Sequence, residues 1–126
     1  MKTRILWVMG FVMMLAAGPA YSGSAMQMWN CGLEDGVTEE DVEARAVEWV
    51  KGVRKIDGGA NIEAMVLFPI AVNASGQTDL IFMVTAPTFA EWGRFWDAYP
   101  DSEIGATEGE GMFCPDSVVW DAVKIN

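Results

Sequence analysis

The sequence has 126 residues, no histidine, two cysteines and eighteen acidic residues against eight basic ones, for a formal net charge of −10. The missing histidine excludes the usual nucleophile–histidine triads, histidine metal sets and a histidine haem ligand. The acidic balance disfavours nucleic acid and anionic membrane surfaces as partners, because both repel such a chain.

Lys2 and Arg4 form a short basic head, Ile5–Ala17 is an uncharged apolar run, and small residues follow from Gly18 to Ala25. This is the layout of a secretory leader, with cleavage expected after Ser22 or Ala25. The apolar run falls short of the roughly 20 residues that cross a bilayer. The expectation is therefore a signal peptide over 1–25, one exported domain over 26–126 in the periplasm or outside the cell, and no membrane contact after cleavage. The leader takes two cations and no acid with it, which moves the net charge from −10 to −12.

Ala25–Cys31 reads as a short strand, with Met26, Met28 and Asn30 alternating against Gln27, Trp29 and Cys31. Gly32–Gly36 is a turn. Thr38 then opens a helix, with Asp41 placed to close a capping box and acids in the first turn to suit the helix dipole. Val42, Ala46, Trp49, Val50 and Val53 recur at helical spacing and form one apolar stripe, and Gly58-Gly59 stops the helix.

Two apolar runs follow, Glu63–Val72 and Asp79–Thr85, joined by polar turn formers. They read as a hairpin. Alternation puts Ala64, Val66, Phe68 and Ile70 against Met65 and Leu67, and Leu80, Phe82 and Val84 against Ile81 and Met83. Both faces are apolar, whereas a hairpin with one wet face would alternate apolar with polar. Thr88-Phe89-Ala90-Glu91 repeats the capping logic and opens a second helix, with Trp92, Phe95, Trp96 and Tyr99 as its inner stripe and Pro100 at its end. Asp101–Gly111 is acidic, glycine-rich and without periodicity, so it reads as a loop. Ser117–Ile125 reads as a last strand.

Cys31 and Cys114 are an even count in a chain read as exported, which points to a disulfide. Closing so long a loop stabilises a fold by roughly 4–5 kcal/mol in the chain-entropy picture. The element order β-α-β-β-α-β is the ferredoxin-like α+β plan, a four-stranded antiparallel sheet in the order 4-1-3-2 with both helices on one face. That plan sets the end of the first strand beside the start of the fourth, where the two cysteines fall.

The other sheet face is then left bare, and an apolar face of several strands exceeds what soluble monomers tolerate. A second copy related by a two-fold axis covers it most simply. In element order, two-sided sheet apolarity and a tryptophan-bearing second helix, the chain resembles the dimeric α+β barrel superfamily. That resemblance implies a homodimer through the open sheet faces. It also implies, by fold analogy, either a ligand pocket between sheet and helices or a cofactor-independent monooxygenase or isomerase activity.

Aromatic residues dominate the candidates for a site. Trp29, Trp92, Trp96, Tyr99, Phe68 and Trp120 are candidate pocket residues, with Asn30 a candidate polar group even though alternation puts it opposite Trp29. The competing reading is that the tryptophans fill a small core. Asp101, Glu103, Glu108 and Glu110 fit no calcium loop and read as a solvated acidic segment. Met26, Met28, Met65, Met83 and Met112 are soft potential copper(I) ligands, but they are scattered along the sequence without a Met-x-x-Met, so they read as core filling. Asn73-Ala74-Ser75 matches a glycosylation sequon. No catalytic residue, metal or cofactor is assigned. The expected function is a non-catalytic homodimer that binds a small apolar ligand or a partner protein. The alternatives are the enzyme activities above, or a purely structural interaction module whose acidic surface meets a basic partner.

Overall fold

The structure is a computed structural model that describes residues 23–71, 78–107 and 110–126. The basic head and apolar run of the leader, the sequon and Glu108 lie outside those residues.

Local signals set the helices. In α1 (Glu39–Val53), the Thr38 hydroxyl accepts from the Asp41 N–H at 3.2 Å, and the Asp41 carboxylate accepts from the Thr38 N–H at 2.9 Å. That backbone bond, followed by the bond from the Thr38 hydroxyl, holds the Asp41 carboxyl below the usual carboxylate range. In α2 (Phe89–Ala98), Thr88 caps the Glu91 N–H, and Glu91 accepts from Asn61 and from the Thr88 hydroxyl. Those two bonds, Asn61 first, lower the Glu91 carboxyl in the same way. The helices pack closely where Gly58 follows α1 with φ +75, because a Cβ there would stand 2.5 Å from the Phe95 nitrogen. Only glycine takes that conformation at no steric cost.

The strands are β1 (Ser24–Leu33), β2 (Glu63–Leu67), β3 (Leu80–Ala86) and β4 (Met112–Ala122), and all their pairings are antiparallel. Their order is β2-β3-β1-β4, the expected 4-1-3-2 counted from the other edge. The two helices and this sheet make the ferredoxin-like α+β fold. Cys31 and Cys114 are disulfide-bonded with Cα atoms 4.1 Å apart.

Besides shifts of one or two residues at the ends of β1 and β3, element boundaries differ from the sequence reading in three places. β2 stops at Leu67 instead of running on to Val72. Pro69 has no N–H to offer a ladder, and Ile70 is fully exposed instead of sharing a face with Phe68. β4 starts at Met112 and ends at Ala122, not Ser117–Ile125. The strand includes Pro115: β4 is an edge strand, and the β1–β4 register shifts between Asn30 and Gly32 just where Cys114 and Pro115 sit. An edge strand with an irregularity tolerates a proline. The Asp101–Gly111 stretch is not featureless either: 3₁₀ turns form over Tyr99–Asp101 and Gly105–Thr107. Ser102 braces them, donating to the Tyr99 carbonyl at 2.6 Å and accepting from the Gly105 N–H. Pro100 sits inside the first of these turns.

Residues directly opposite one another in a ladder share a face. The helix-side face carries Ala25, Trp29 and Cys31 of β1, with Leu80, Phe82, Val84 and Ala86 of β3. Against it pack Val42 and Val53 of α1, Phe95 of α2, and Ile62, all fully buried. The open face is a grid of three rows. Met65, Met83, Met28 and Val118 lie side by side across β2, β3, β1 and β4. On one side of that row run Glu63, Thr85, Met26 and Trp120, and on the other Leu67, Ile81, Asn30 and Asp116. Four methionines from three strands, Met26, Met28, Met65 and Met83, therefore stand on one face.

Candidate functional site

Between α1, the sheet and the segment that follows α2 lies a half-open cavity of about 770 Å³. Its deep wall is aromatic: Trp29 from β1, Phe82 from β3, Trp49 from α1, Trp96 from α2, and Tyr99 from the first 3₁₀ turn. Ile104 and Thr107 close one side and Met112 to Cys114 the other. Glu34, Arg45, Glu48 and Glu110 stand among the lining groups as its charged members. Besides Trp49, Arg45 and Glu48, α1 contributes the small residues Ala44 and Ala46 to the lining.

The aromatic wall is internally braced. The Trp49 indole N–H donates to the Tyr99 hydroxyl at 2.9 Å. Trp49 meets Phe82 edge to face at 5.4 Å between centroids, Trp29 meets Trp96 at 5.7 Å, and Trp96 meets Tyr99 at 5.1 Å. Phe95 lies behind them, 4.7 Å from Trp96. Edge-to-face contacts of this kind add to simple area burial, so the wall is preformed. The Trp96 indole N–H is buried and has no acceptor among the described residues. The Arg45 guanidinium occupies the space where a side chain at Gly111 (φ +81) would stand.

Of the residues singled out from the sequence, the structure brings Trp29, Trp96 and Tyr99 together in this cavity. The other four lie elsewhere. Phe68 packs on the second core cluster with Cys31, Val42 and Leu80. Trp92 packs against the main core, and its indole N–H donates to Gln27 at 3.2 Å. Asn30 is exposed on the open face between Ile81 and Asp116, and Trp120 lies on the same face opposite Met26. Of Asn30, Trp92 and Tyr99, only Tyr99 lines this cavity. Trp49 and Phe82 were not among the candidates. The α1 stripe and the β3 alternation already pointed both of them at the helix–sheet interface.

The charged groups at the mouth do not form a metal set: among the described residues, no three Cys, Asp or Glu side chains are placed to hold an ion. What the cavity offers is ring faces, aliphatic edges and an outer rim of mixed charge.

No family model matches the sequence, and neither does any curated protein. Among solved structures, a chlorite dismutase variant from Candidatus Nitrospira defluvii is similar at 17% identity and a TM-score of 0.44, covering 82% of this chain and 42% of that one. The chlorite dismutase of the same organism in complex with imidazole is similar at 15% identity and a TM-score of 0.44, covering 86% of this chain and 43% of that one. This chain thus spans less than half the length of those structures, and at these scores the likeness carries nothing about ligand or reaction.

Proposed function

We propose that this chain is an exported, disulfide-tied binding protein that holds a small apolar molecule in the cavity between α1 and the sheet, and that it works as a homodimer through the open sheet face. The observation that carries the ligand reading is the preformed aromatic cavity of about 770 Å³. Pockets of roughly 300–1,000 Å³ with apolar walls and few polar groups are the usual size for small-molecule sites. A core made only to be stable would close that volume, since interiors pack densely.

Export is supported by the leader layout and by the disulfide, a bond favoured in oxidising compartments. Ser24 and Ala25 both belong to β1, and Ala25 is fully buried between Ala86 and Asp121. Cleavage after Ser22 keeps that strand intact and is therefore the favoured site. The dimer is supported by the open face, where Met65, Val118 and Trp120 are each about half exposed (53%, 49% and 53%). An isologous contact would cover all of them at once.

The ligand reading is tested by titrating the protein with Nile red and following the dye's emission. Saturable binding at one dye per chain is expected, and it should be lost in Ala46→Trp, whose indole fills the cavity while circular dichroism stays unchanged. Equal binding by the folded variant would refute the site. The dimer is tested by sedimentation equilibrium. A dimer is expected for the wild type and a monomer for Val118→Asp; a monomeric wild type at micromolar concentration would refute that half of the proposal.

A further inference from the structure

We propose that the row Met65–Met83–Met28 on the open sheet face is a binding site for a soft monovalent metal ion, copper(I) in nature. The three residues come from three adjacent strands, yet the register sets them directly side by side: Met65 opposite Met83, and Met83 opposite Met28. Directly opposite residues have Cβ atoms about 4.5–5.5 Å apart. Each methionine carries its sulfur on an unbranched, flexible stem. Three thioethers so spaced can turn toward one point above Met83, which is the number and kind of donor a soft ion takes.

The donor chemistry selects the ion. Thioether sulfur is a soft ligand suited to copper(I), whereas magnesium and calcium take hard oxygen donors. Thioethers carry no proton at any ordinary pH, so binding needs no deprotonation. Met26 stands two residues before Met28 on the same face and offers a fourth sulfur, and its opposite neighbour Trp120 offers an indole face to a cation. Glu63 and Asp116 lie in the flanking rows, and the chain as a whole is strongly acidic, so the local and the general field both favour a cation.

Core filling accounts poorly for the row. Met65 is 53% exposed and Met83, in the centre, only 8%. The row therefore joins a buried central residue to a half-exposed outer one, and does not plug a gap. The site lies on the sheet face opposite the aromatic cavity, so it stands or falls independently of the ligand reading. A second copy laid on this face would enclose the row and not replace it.

Silver(I) is a redox-silent probe of such a site. Protein carrying ¹³C-methyl methionine is titrated with silver nitrate in chloride-free buffer. The methyl signals of Met28, Met65 and Met83 are expected to shift and saturate at no more than one ion per chain, while Met112, on the helix side, stays put. Met28→Leu and Met83→Leu nearly conserve volume and keep the fold, and each is expected to lose the saturable shift. Copper(I) under anaerobic conditions should then be retained against a chromogenic chelator by the wild type and released by both variants. Absence of a saturable shift in the wild type, shifts of all methionines alike, or undiminished binding by the folded leucine variants would overturn the proposal.

Discussion

Breaking the Cys31–Cys114 bond is expected to remove a large share of the domain's stability without removing its fold. The bond spans a sequence separation of 83, for which the chain-entropy relation gives about 15 cal/mol/K, or about 4.6 kcal/mol at 25 °C. Small domains are stable by roughly 5–15 kcal/mol in total. The native state of the reduced protein keeps both sulfurs in place, so their packing is conserved and the loss acts through the unfolded chain. The structure also indicates where loosening begins. β4 is an edge strand paired only with β1, and most of its residues are exposed, so its amides should lose exchange protection first on reduction. The assay is urea unfolding of the oxidised and the reduced wild type, with Cys31→Ala/Cys114→Ala as a permanent counterpart and amide exchange on each. A difference below about 1 kcal/mol would refute the entropic reasoning, because the relation assigns several times that to a loop of this length. Even loss of protection across all four strands would refute the placement of the weak edge.

Phe95→Ala is expected to cost about 3–5 kcal/mol in urea unfolding, the usual range for emptying a large aromatic site. Phe95 is fully buried behind Trp49, Trp96 and Tyr99, so the same variant should also weaken Nile red binding. The capping carboxylates Asp41 and Glu91 sit below their ordinary range in the folded state. Their contribution is therefore complete above the unfolded carboxylate range and is lost as pH falls through the lowered folded values. Asp41→Asn/Glu91→Gln should accordingly flatten the acid limb of a stability-against-pH curve, and an unchanged limb would contradict the capping assignment. Gly58→Ala should destabilise by more than about 1 kcal/mol in the same unfolding assay, because a side chain there meets the α2 backbone at positive φ.

Much of the fold was legible because its signals are local or arithmetic. Thr38 with Asp41, and Thr88 with Glu91, announce helix starts through short-range hydrogen bonds that survive in the folded chain. The strand order followed from element order, and the cysteine pair agreed with it. What was not legible depends on context beyond a few residues. The early start of β4, through Pro115, depends on its being an edge strand with a register irregularity. Phe68 and Ile70 read as strand until Pro69 ends the ladder. At the site, periodicity showed which side chains face the sheet, and so found Trp29, Trp96 and Tyr99. It could not show the empty space, whose lining joins Ala44 and Ala46 of α1 to Ile104 and Thr107 from the segment after α2. The methionine row was invisible for a related reason: residues so far apart in sequence become neighbours only through the register of three strands.

The five tryptophans from Trp29 onward allow the cavity to be read out ring by ring. Trp29, Trp49 and Trp96 line it, whereas Trp92 is tied to Gln27 and Trp120 lies on the far face of the sheet. In a ¹⁵N spectrum of the indole N–H groups titrated with naphthalene, the signals of Trp29, Trp49 and Trp96 should move together and saturate, with Trp92 and Trp120 unmoved. A titration that shifts Trp120 first, or that leaves all five in place, would contradict a ligand seat between α1 and the sheet.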